Sequence, residues 1–581
     1  MSEILQPIQQ FNNEFKDKHR ELTEEYFDRL VAESGVNAEE NALLMTERDK
    51  TLSKLKVADK NLAKHKTSRT LLIVLIVILL LGAIICALMF YDNVEGLFFL
   101  TFLLPGVAIC VIIALIVVIV KVINPKIKDG SAVVNELNVK VKQIEADGWK
   151  QMRPLNLKYD FNIPDKLIYE TVPQIQLDKY FDEDKQDYFN SKISLDVSGK
   201  DDISVYCARS GNSRGNPFLL IRYFIRSIVQ HTYTGTLTVS WTEHYTDSQG
   251  KSHTRTVSQT LVATVTKPKP VYNFVTRLYY GNDAAPDLRF SRSPVVPKNA
   301  GDKQIASIVR SGEKRLEKKS RKAVKEGKTF NMLANSEFEV LFGAENRNHE
   351  TQFRLMFTPL AQQNMVELVR NKEPYGDDFN FDKIGKVNVI YSSHSADLDI
   401  DANPAQFAHF SLKEARKKFI DFNMEYFASI YFDFAPLFCI PIYQQEIPTQ
   451  QFTECTKHSN IGNFEMESVA NNFSKKLLAH EQAETSQIIK ATPIEVNEQG
   501  TLAEITSYAY RCVSHVDYIP EMARNGHVYL VPVPWVEYIP VEKTSQVLMQ
   551  AVNTTREQYI ASDDSSDETS ILVGGVRAKL M

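Results

Sequence analysis

Two long uncharged stretches interrupt an otherwise mixed pattern of apolar and polar positions. They cover residues 71–91 and 97–120, and neither contains an Asp, Glu, Lys or Arg. Each exceeds the roughly 20 residues that an α-helix needs to cross about 30 Å of hydrocarbon. A cleaved signal peptide would be shorter and would lie at the extreme N-terminus, whereas about seventy mostly polar residues come first here. The pattern therefore predicts a transmembrane helical hairpin over residues 71–120.

Basic residues flank this predicted hairpin on both outer sides, and its connector, residues 92–96, has none. By the positive-inside rule, both ends face the cytoplasm and only the connector lies outside. The expected location is the cell inner (plasma) membrane, with a multi-pass topology and cytoplasmic N- and C-termini. The same basic clusters could also bind anionic lipid head groups. The flanking basic residues are Lys50, Lys54, Lys56, Lys60, Lys64, Lys66, Arg69, Lys121, Lys126 and Lys128.

Helical periodicity dominates the segments on either side of the hairpin. Residues 1–67 are predicted to form cytosolic N-terminal helices, with a stop at Gly35 and a second start at Asn37. Residues 131–148 are predicted to form a stalk helix, because apolar residues recur there at coiled-coil spacing. A membrane hairpin brings its flanking helices together, so we expect an antiparallel stalk through which the chain could form a homo-oligomer. The alternative is that each apolar stripe packs on the globular region.

After Trp149 the pattern changes to extended segments, and residues 149–300 are predicted to form a β-rich domain. Its clearest feature is a long hairpin over residues 235–266, in which threonine- and valine-rich arms flank a polar turn. Lys267-Pro268-Lys269-Pro270 is expected to stop the second strand. The polar segment 209–216 contains two arginines and two glycines, but a flexible loop is favoured over a phosphate-binding loop.

The remaining chain is predicted to hold further units. Residues 303–328 form a basic helix or linker, for which a solvated face is favoured over membrane or nucleic-acid contact. Residues 330–443 form an α/β domain with strands at 338–342, 352–357 and 387–391 and a helix that begins at Thr358-Pro359. Residues 445–541 form a C-terminal α+β region with a helix near 466–480 and strands at 502–512 and 528–537. Residues 544–581 form a partly disordered tail.

One further stretch is strongly apolar and aromatic. Residues 426–443 contain Asp433, Pro436 and Pro441, which argue against a third membrane span. A buried strand pair or a membrane-dipping segment is the expectation. A genuine span would instead place the C-terminal region outside.

Charge and cysteine content narrow the function classes. The formal net charge of −5 gives no reason to expect a nucleic-acid partner, because phosphate binding depends on basic surface. The six cysteines are scattered without a framework, which favours reduced thiols in a cytosolic setting.

Candidate chemical motifs are incomplete. Lys322–Thr329 lacks the first glycine of a phosphate-binding loop. The acidic residues Asp397, Asp399 and Asp401 lack the glycine and glutamate of a calcium loop, and a solvent-exposed acidic turn is expected instead. The sequence therefore predicts no catalytic, cofactor-binding or metal-ligating residue. Weak alternatives are zinc ligation by Cys455 and His458 with His480, Cys512 and His515, and a facing pair His244 and His253.

Several segments together resemble an uncharacterised bacterial family of membrane-anchored proteins. They are Trp149-Lys150, the sequence Ser336–Phe342 and the sequence Phe353–Pro359. The resemblance covers about residues 45–395 and implies two N-proximal spans followed by a cytosolic α/β domain. It implies no activity and no functional residues.

These observations favour an α+β protein in which a membrane hairpin and helical stalk hold a strand-rich, mostly antiparallel cytosolic region. The expected function is a membrane-tethered binding or scaffold protein with a cytosolic protein partner. The alternative is a membrane-associated enzyme whose site leaves no local signature. A transporter is less favoured, because neither span contains an ionisable residue other than its cysteine.

Overall fold

The structure, a computed structural model, describes residues 3–91, 98–195, 201–246, 248–327, 330–445, 452–458, 461–497, 500–552 and 569–581, with side chains outside 86–105. The α-helices of this part are α1 (Pro7–Gln10), α2 (Lys16–Ser34), α3 (Ala38–Tyr91), α4 (Phe98–Val118), α5 (Asn124–Lys158), α6 (Ile163–Thr171), α7 (Glu183–Asn190), α8 (Asp302–Lys325), α9 (Ser336–Phe342), α10 (Glu350–Met356), α11 (Pro359–Arg370), α12 (His394–Asp397), α13 (Leu412–Phe438), α14 (Asn463–Asn471) and α15 (Lys475–Leu478). The strands are β1 (Gln176–Leu177), β2 (Ile203–Ser213), β3 (Asn216–Thr246), β4 (Ser252–Gly281), β5 (Arg289–Arg292), β6 (Phe379–Ile384), β7 (Val387–Ser392), β8 (Ile488–Asn497), β9 (Gly500–Met522), β10 (Val528–Ala551), β11 (Ser570–Val573) and β12 (Val576–Leu580).

The chain divides into two compact units. The helical unit comprises Asp28–Lys158 and Phe407–Phe419. The strand-rich unit comprises Met1–Phe27, Tyr159–Gln406 and Ile420–Met581.

In the helical unit, α3 and α5 pack side by side and run antiparallel. Arg48 Nε donates to Glu145 Oε1 at 2.8 Å, and Lys140 Nζ lies 3.2 Å from Glu47 Oε1. The predicted antiparallel pairing of the two flanking helices is confirmed. The predicted start of α3 is also confirmed. Asn37 Oδ1 accepts hydrogen bonds from the backbone amides of Glu39 and Glu40 at 3.1 and 3.2 Å, as expected of an N-cap.

The same unit contains the apolar stretches. Two helices in the described residues, Ala38–Ile85 and Gly106–Lys158, are long and apolar enough to cross a membrane by length and composition. Their apolar side chains are exposed rather than packed in a core: Leu71, Leu81, Val107 and Ile113 are each more than half exposed. The predicted connector, residues 92–96, lies outside the described residues.

The strand-rich unit is built on two antiparallel sheets. Sheet A has seven strands in the order β1-β2-β3-β4-β7-β6-β5, and sheet B has five in the order β11-β12-β10-β9-β8. Strand pairing throughout both sheets is antiparallel. Together with the helices, this confirms the α+β fold class.

In the aromatic stretch, residues 426–438 belong to the buried part of helix α13 and residues 441–443 to a 3-10 turn, so the expected buried strand pair is wrong. The C-terminal part of α13 buries Phe427, Tyr431 and Phe434, and Tyr431 packs against Phe11 at 5.1 Å between ring centroids. The protein surrounds this segment, which is apolar or aromatic on most sides, and such a run has no clear period that separates helix from strand.

Two other predicted strands are also helices. Residues 338–342 belong to α9 and residues 352–357 to α10 and the residue after it. Each helix has an N-terminal cap that the apolar run concealed: Asn335 Oδ1 accepts from the Phe338 amide at 3.1 Å, and His349 Nδ1 accepts from the Gln352 amide at 3.2 Å. The predicted helix at Thr358-Pro359, the strand at 387–391 and the basic helix α8 are confirmed.

Three segments that were predicted to end a strand, to form a flexible loop or to be partly disordered belong to strands or to the turn between two strands. Pro268 and Pro270 do not stop β4, which continues to Gly281. Segment 209–216 is the end of β2 and a buried tight turn, in which Arg214 and Gly215 both have positive φ. The tail 544–581, predicted to be partly disordered, is strand as far as Ala551 and again in β11 and β12, while residues 553–568, which include its acidic run, lie outside the described residues.

Candidate functional site

Two long hairpins of the strand-rich unit continue past the strands beside them in their sheets. In the described residues, β2 accompanies β3 only as far as Ile225, and β7 accompanies β4 only over Leu278–Gly281. Similarly, β8 reaches only Tyr508 on β9, and β12 begins at Val547 on β10. We call residues 226–277 the first hairpin, residues 509–546 the second hairpin, and both together the arm. About 20 residues per strand give the first hairpin a length of about 65 Å.

The two hairpins pack on each other through one face each. Val239, Leu261 and Ala263 of the first hairpin form a buried cluster with residues of the second, namely Ala523, Val531 and Val533. Close approach requires a glycine: a Cβ on Gly235 would lie 2.0 Å from the carbonyl oxygen of Pro532. Polar contacts fix the register, since Lys267 Nζ lies 3.0 Å from Asp517 Oδ2 and 4.1 Å from the Trp535 ring centroid.

The outward face of the first hairpin is covered with hydroxyl groups. Side chains alternate between the two faces of a strand, so the even-numbered positions of 232–246 and 252–266 share the outward face. Fourteen of these sixteen positions are Thr or Ser, the others being His244 and Val262, and all sixteen are exposed. Thr238 and Thr260 hydroxyls lie 3.0 Å apart across the ladder. Threonine suits this position because it favours extended backbone and accepts water as a neighbour. We call this the hydroxyl face.

The outward face of the second hairpin is apolar instead. Cross-strand pairs place eight uncharged, mostly aliphatic side chains on it: Val516, Tyr518, Pro520, Met522, Val528, Leu530, Pro532 and Pro534. Tyr518 is 63%, Met522 67% and Leu530 59% exposed. The odd-numbered neighbours point inward to the first hairpin, and apart from Asp517 and Glu521 they are also mainly apolar. We call the eight-residue surface the apolar face. An exposed contiguous apolar surface of this kind usually marks an interaction site.

Prolines shape the edges of the same ribbon. Pro520, Pro532, Pro534 and Pro540 all lie at even positions, and proline within a ladder must sit where its nitrogen faces away from the partner strand. The outward edges therefore lack several N–H donors. This discourages another strand from joining the ribbon through backbone hydrogen bonds.

A separate cleft of about 580 Å³ lies beside the end of β7. Its walls include Phe274, Tyr391, Ser392 and Asp378, together with the segment 294–298. Ser392 and His394 follow each other closely in the chain, and Asp378 lies next to His394. This combination invites comparison with a Ser-His-Asp site.

The hydrogen bonds of His394 exclude that mechanism in the observed geometry. Its Nε2 lies 3.1 Å from the carbonyl oxygen of Ser429, which only accepts, and its Nδ1 lies 2.8 Å from Asp378 Oδ2. Both ring nitrogens therefore face oxygen atoms other than the serine hydroxyl, an arrangement that favours the protonated ring. Burial lowers the pKa of His394, but the hydrogen bond to Asp378 and the charge of Asp433 outweigh burial and raise that pKa above its usual value. A ring nitrogen that donates to a carbonyl oxygen cannot at the same time accept the proton of a serine nucleophile.

The serine is also engaged elsewhere. Ser392 Oγ donates to Asp433, and it lies 3.4 Å from His394 Nε2. Burial raises the pKa of Asp433 to about 6. Tyr375 stacks on the His394 ring at 3.9 Å between centroids. The cluster joins α13 to the end of the β6–β7 hairpin, and its geometry suits support of the fold more than bond breaking.

The weaker sequence candidates do not assemble into a metal site. Among the described residues, no group of three or more His, Cys, Asp or Glu side chains is placed to hold a metal ion. His458 Nε2 instead contacts Glu465 Oε1 at 2.7 Å, and Cys455 is half-buried. His244 and His253 lie on opposite faces of the ribbon, because His253 is the partner of Tyr245.

The expected exposed acidic turn is exposed only at Asp397. Asp401 is buried, and burial raises its pKa to about 7. Asp399 pairs with Arg222 at 3.1 Å. Asp401 borders a small polar cavity of about 50 Å³ that Cys207 and Glu465 also line, which is room for a few water molecules only.

Comparison with known proteins identifies no relative of this chain. No family model, curated protein or solved structure matches the chain.

Proposed function

We propose that this chain is a membrane-tethered binding or scaffold protein and that the apolar face of the arm is its recognition surface. The two apolar helices hold it in the inner membrane as a multi-pass protein, with both termini in the cytoplasm. The stalk helices provide a second surface through which copies of the chain associate. The proposal treats the arm as the element that engages a partner.

The contrast between the two outward faces of the arm supports this proposal. Both hairpins expose one face, so both meet the same requirement for solubility. The first hairpin meets it with Ser and Thr at fourteen of sixteen positions. The second places eight apolar residues at the equivalent positions. Exposure of a strand face therefore does not by itself require apolar residues in this protein. Burial of the apolar face against a partner is the physical reason to retain its eight apolar residues.

Site-specific photo-crosslinking in intact cells tests the proposal. A photoreactive amino acid at Tyr518 or Leu530 should form adducts with the protein or lipid that covers the apolar face, whereas the same group at Thr238 or Thr260 on the hydroxyl face should not. The two pairs of positions are matched in exposure and strand context. Equal yields at both faces, or none at either, would contradict the proposal.

A hydrolase acting at the cleft is the second candidate, since Ser392 lines a cleft large enough for a small substrate. A fluorophosphonate probe labels serine nucleophiles covalently. Labelling that is lost in Ser392→Ala and retained in the neighbouring Ser393→Ala would favour the enzyme. Because His394 contacts Asp378 and the Ser429 carbonyl and Ser392 donates to Asp433, we expect no labelling of either.

A further inference from the structure

We propose that the arm is an amphipathic β-structure that lies on a lipid bilayer, with the apolar face inserted at the headgroup level and the hydroxyl face toward water. This deepens the proposed function and rests on it, because it names the partner of the same surface. The occupant is the interfacial region of a bilayer rather than a protein.

The polarity of the arm supports a planar interface. One outer surface carries hydroxyl groups over 232–266, and the four cross-strand pairs of the apolar face on the other carry no charged side chain. Amphipathic elements that lie in a membrane surface are divided in this way, with a wet face and a face that enters the acyl boundary. Tyr518 adds an aromatic ring with a polar end, a residue type enriched at membrane–water interfaces.

The prolines favour lipid over water as the neighbour. A backbone N–H at the strand edge costs free energy when it moves out of water and finds no hydrogen-bond acceptor. Hydrocarbon offers no such acceptor. Pro520, Pro532 and Pro534 remove such donors on the part of the ribbon that carries the apolar face. The same residues impede strand addition by a protein, so side-chain contact is the mode of binding that remains.

The size of the face argues against a protein as the occupant. Four cross-strand pairs on two strands cover a surface about 10 Å wide and about 25 Å long. The eight residues of this face are well below the roughly 20–30 residues that each partner contributes to a standard protein interface. A second copy of the chain meets the same limit. Insertion of a few side chains into a bilayer has no such minimum, and the covalent link to two membrane-length helices keeps the arm at high effective concentration near lipid.

Fluorescence quenching in nanodiscs of phosphatidylethanolamine and phosphatidylglycerol tests the inference on the full chain. An environment-sensitive fluorescent amino acid replaces Met522, Thr238 or, as a positive control within a predicted span, Leu75. We expect blue-shifted emission and quenching by nitroxide-labelled lipid at 522 and 75, and quenching by a water-soluble quencher at 238.

A threonine-faced variant supplies the matched control. Tyr518→Thr, Met522→Thr, Val528→Thr and Leu530→Thr together copy the composition of the hydroxyl face, which already supports a ribbon of the same kind. With the fluorophore at Pro534, lipid quenching should occur in the wild-type arm and be lost in this variant, while circular dichroism stays unchanged.

The other outcomes overturn the lipid inference and separate it from the proposed function. Quenching at 522 by the aqueous quencher alone would show that the face is solvated. Protection from both quenchers would indicate a covering protein or second copy. In either case, protein adducts from Tyr518 in cells would preserve the proposed function, and their absence would remove both.

Discussion

Replacement of Gly235 by alanine should loosen the two hairpins of the arm from each other. A Cβ at this position would lie 2.0 Å from the Pro532 carbonyl oxygen and 2.8 Å from the Val533 Cα. Both neighbours are backbone atoms of the opposite hairpin, so no side-chain rotation relieves the clash.

The size of the effect follows from the required separation. A carbon and a carbonyl oxygen approach to about 3.3 Å at the closest, so the hairpins must move apart by about 1.3 Å. A gap of 0.5–1 Å already forfeits about a quarter to a half of the dispersion energy of the atoms that line it. The buried cluster around Val239 and Val531 then loses much of its contact. Overpacking of this kind costs about 1–3 kcal/mol, which corresponds to about 5- to 150-fold easier opening of the arm.

Hydrogen–deuterium exchange with mass spectrometry measures this opening. Peptides covering 229–243 and 527–537 should exchange faster in Gly235→Ala, while the sheet A core should keep its protection. Gly301→Ala is the matched control, because a Cβ there meets nothing within 4 Å and the backbone φ is −82°. Unchanged exchange in both hairpins of Gly235→Ala would refute the packing described for the arm.

Three further changes test the framework of the two units. Burial lowers the pKa of His19 to about 4. As pH falls from 6.5 toward 4, the imidazole of His19 is therefore protonated in the unfolded chain before it is protonated in the folded one. Wild type should lose up to about 3 kcal/mol of stability from this residue across that window, and the stability gap to His19→Gln, measured by urea unfolding, should narrow as pH falls. Asp377→Ala leaves the fully buried Arg292 without its carboxylate at 2.6 Å and should cost about 3–5 kcal/mol, seen as a lower urea midpoint; a loss below 1 kcal/mol would show that water reaches the site. Asn37→Ala removes the cap of α3 and should cost about 1 kcal/mol, measured as faster amide exchange at 38–41, whereas Asn37→Asp should retain protection.

Local patterns along the chain were sufficient for much of the fold. Uncharged runs of membrane length, the Asn37 cap and the 3.6-residue periodicity predicted α3 and α5. The alternation around Leu237 and Val239 predicted the first hairpin. These signals succeed because each depends on residues a few positions apart, where side-chain direction follows directly from backbone geometry.

Predictions failed where the surroundings of a segment decide its conformation. Segments 338–342, 352–357 and 426–443 are rich in apolar residues without a clear period, and packing against distant parts of the chain selected helix over strand. Pro268 and Pro270 suggested a strand end, but a ribbon with free edges accommodates proline wherever the nitrogen points outward.

The candidate site divides in the same way. The sequence predicted the first hairpin over 235–266 but placed strands of the second only at 502–512 and 528–537, although residues 516–534 hold two alternating sets of mainly apolar positions. Only the tertiary structure decided which set is buried, because that depends on Gly235 meeting Pro532 nearly three hundred residues away in the chain. The local period specifies the two faces of a strand, and long-range packing determines which face is left to meet a partner.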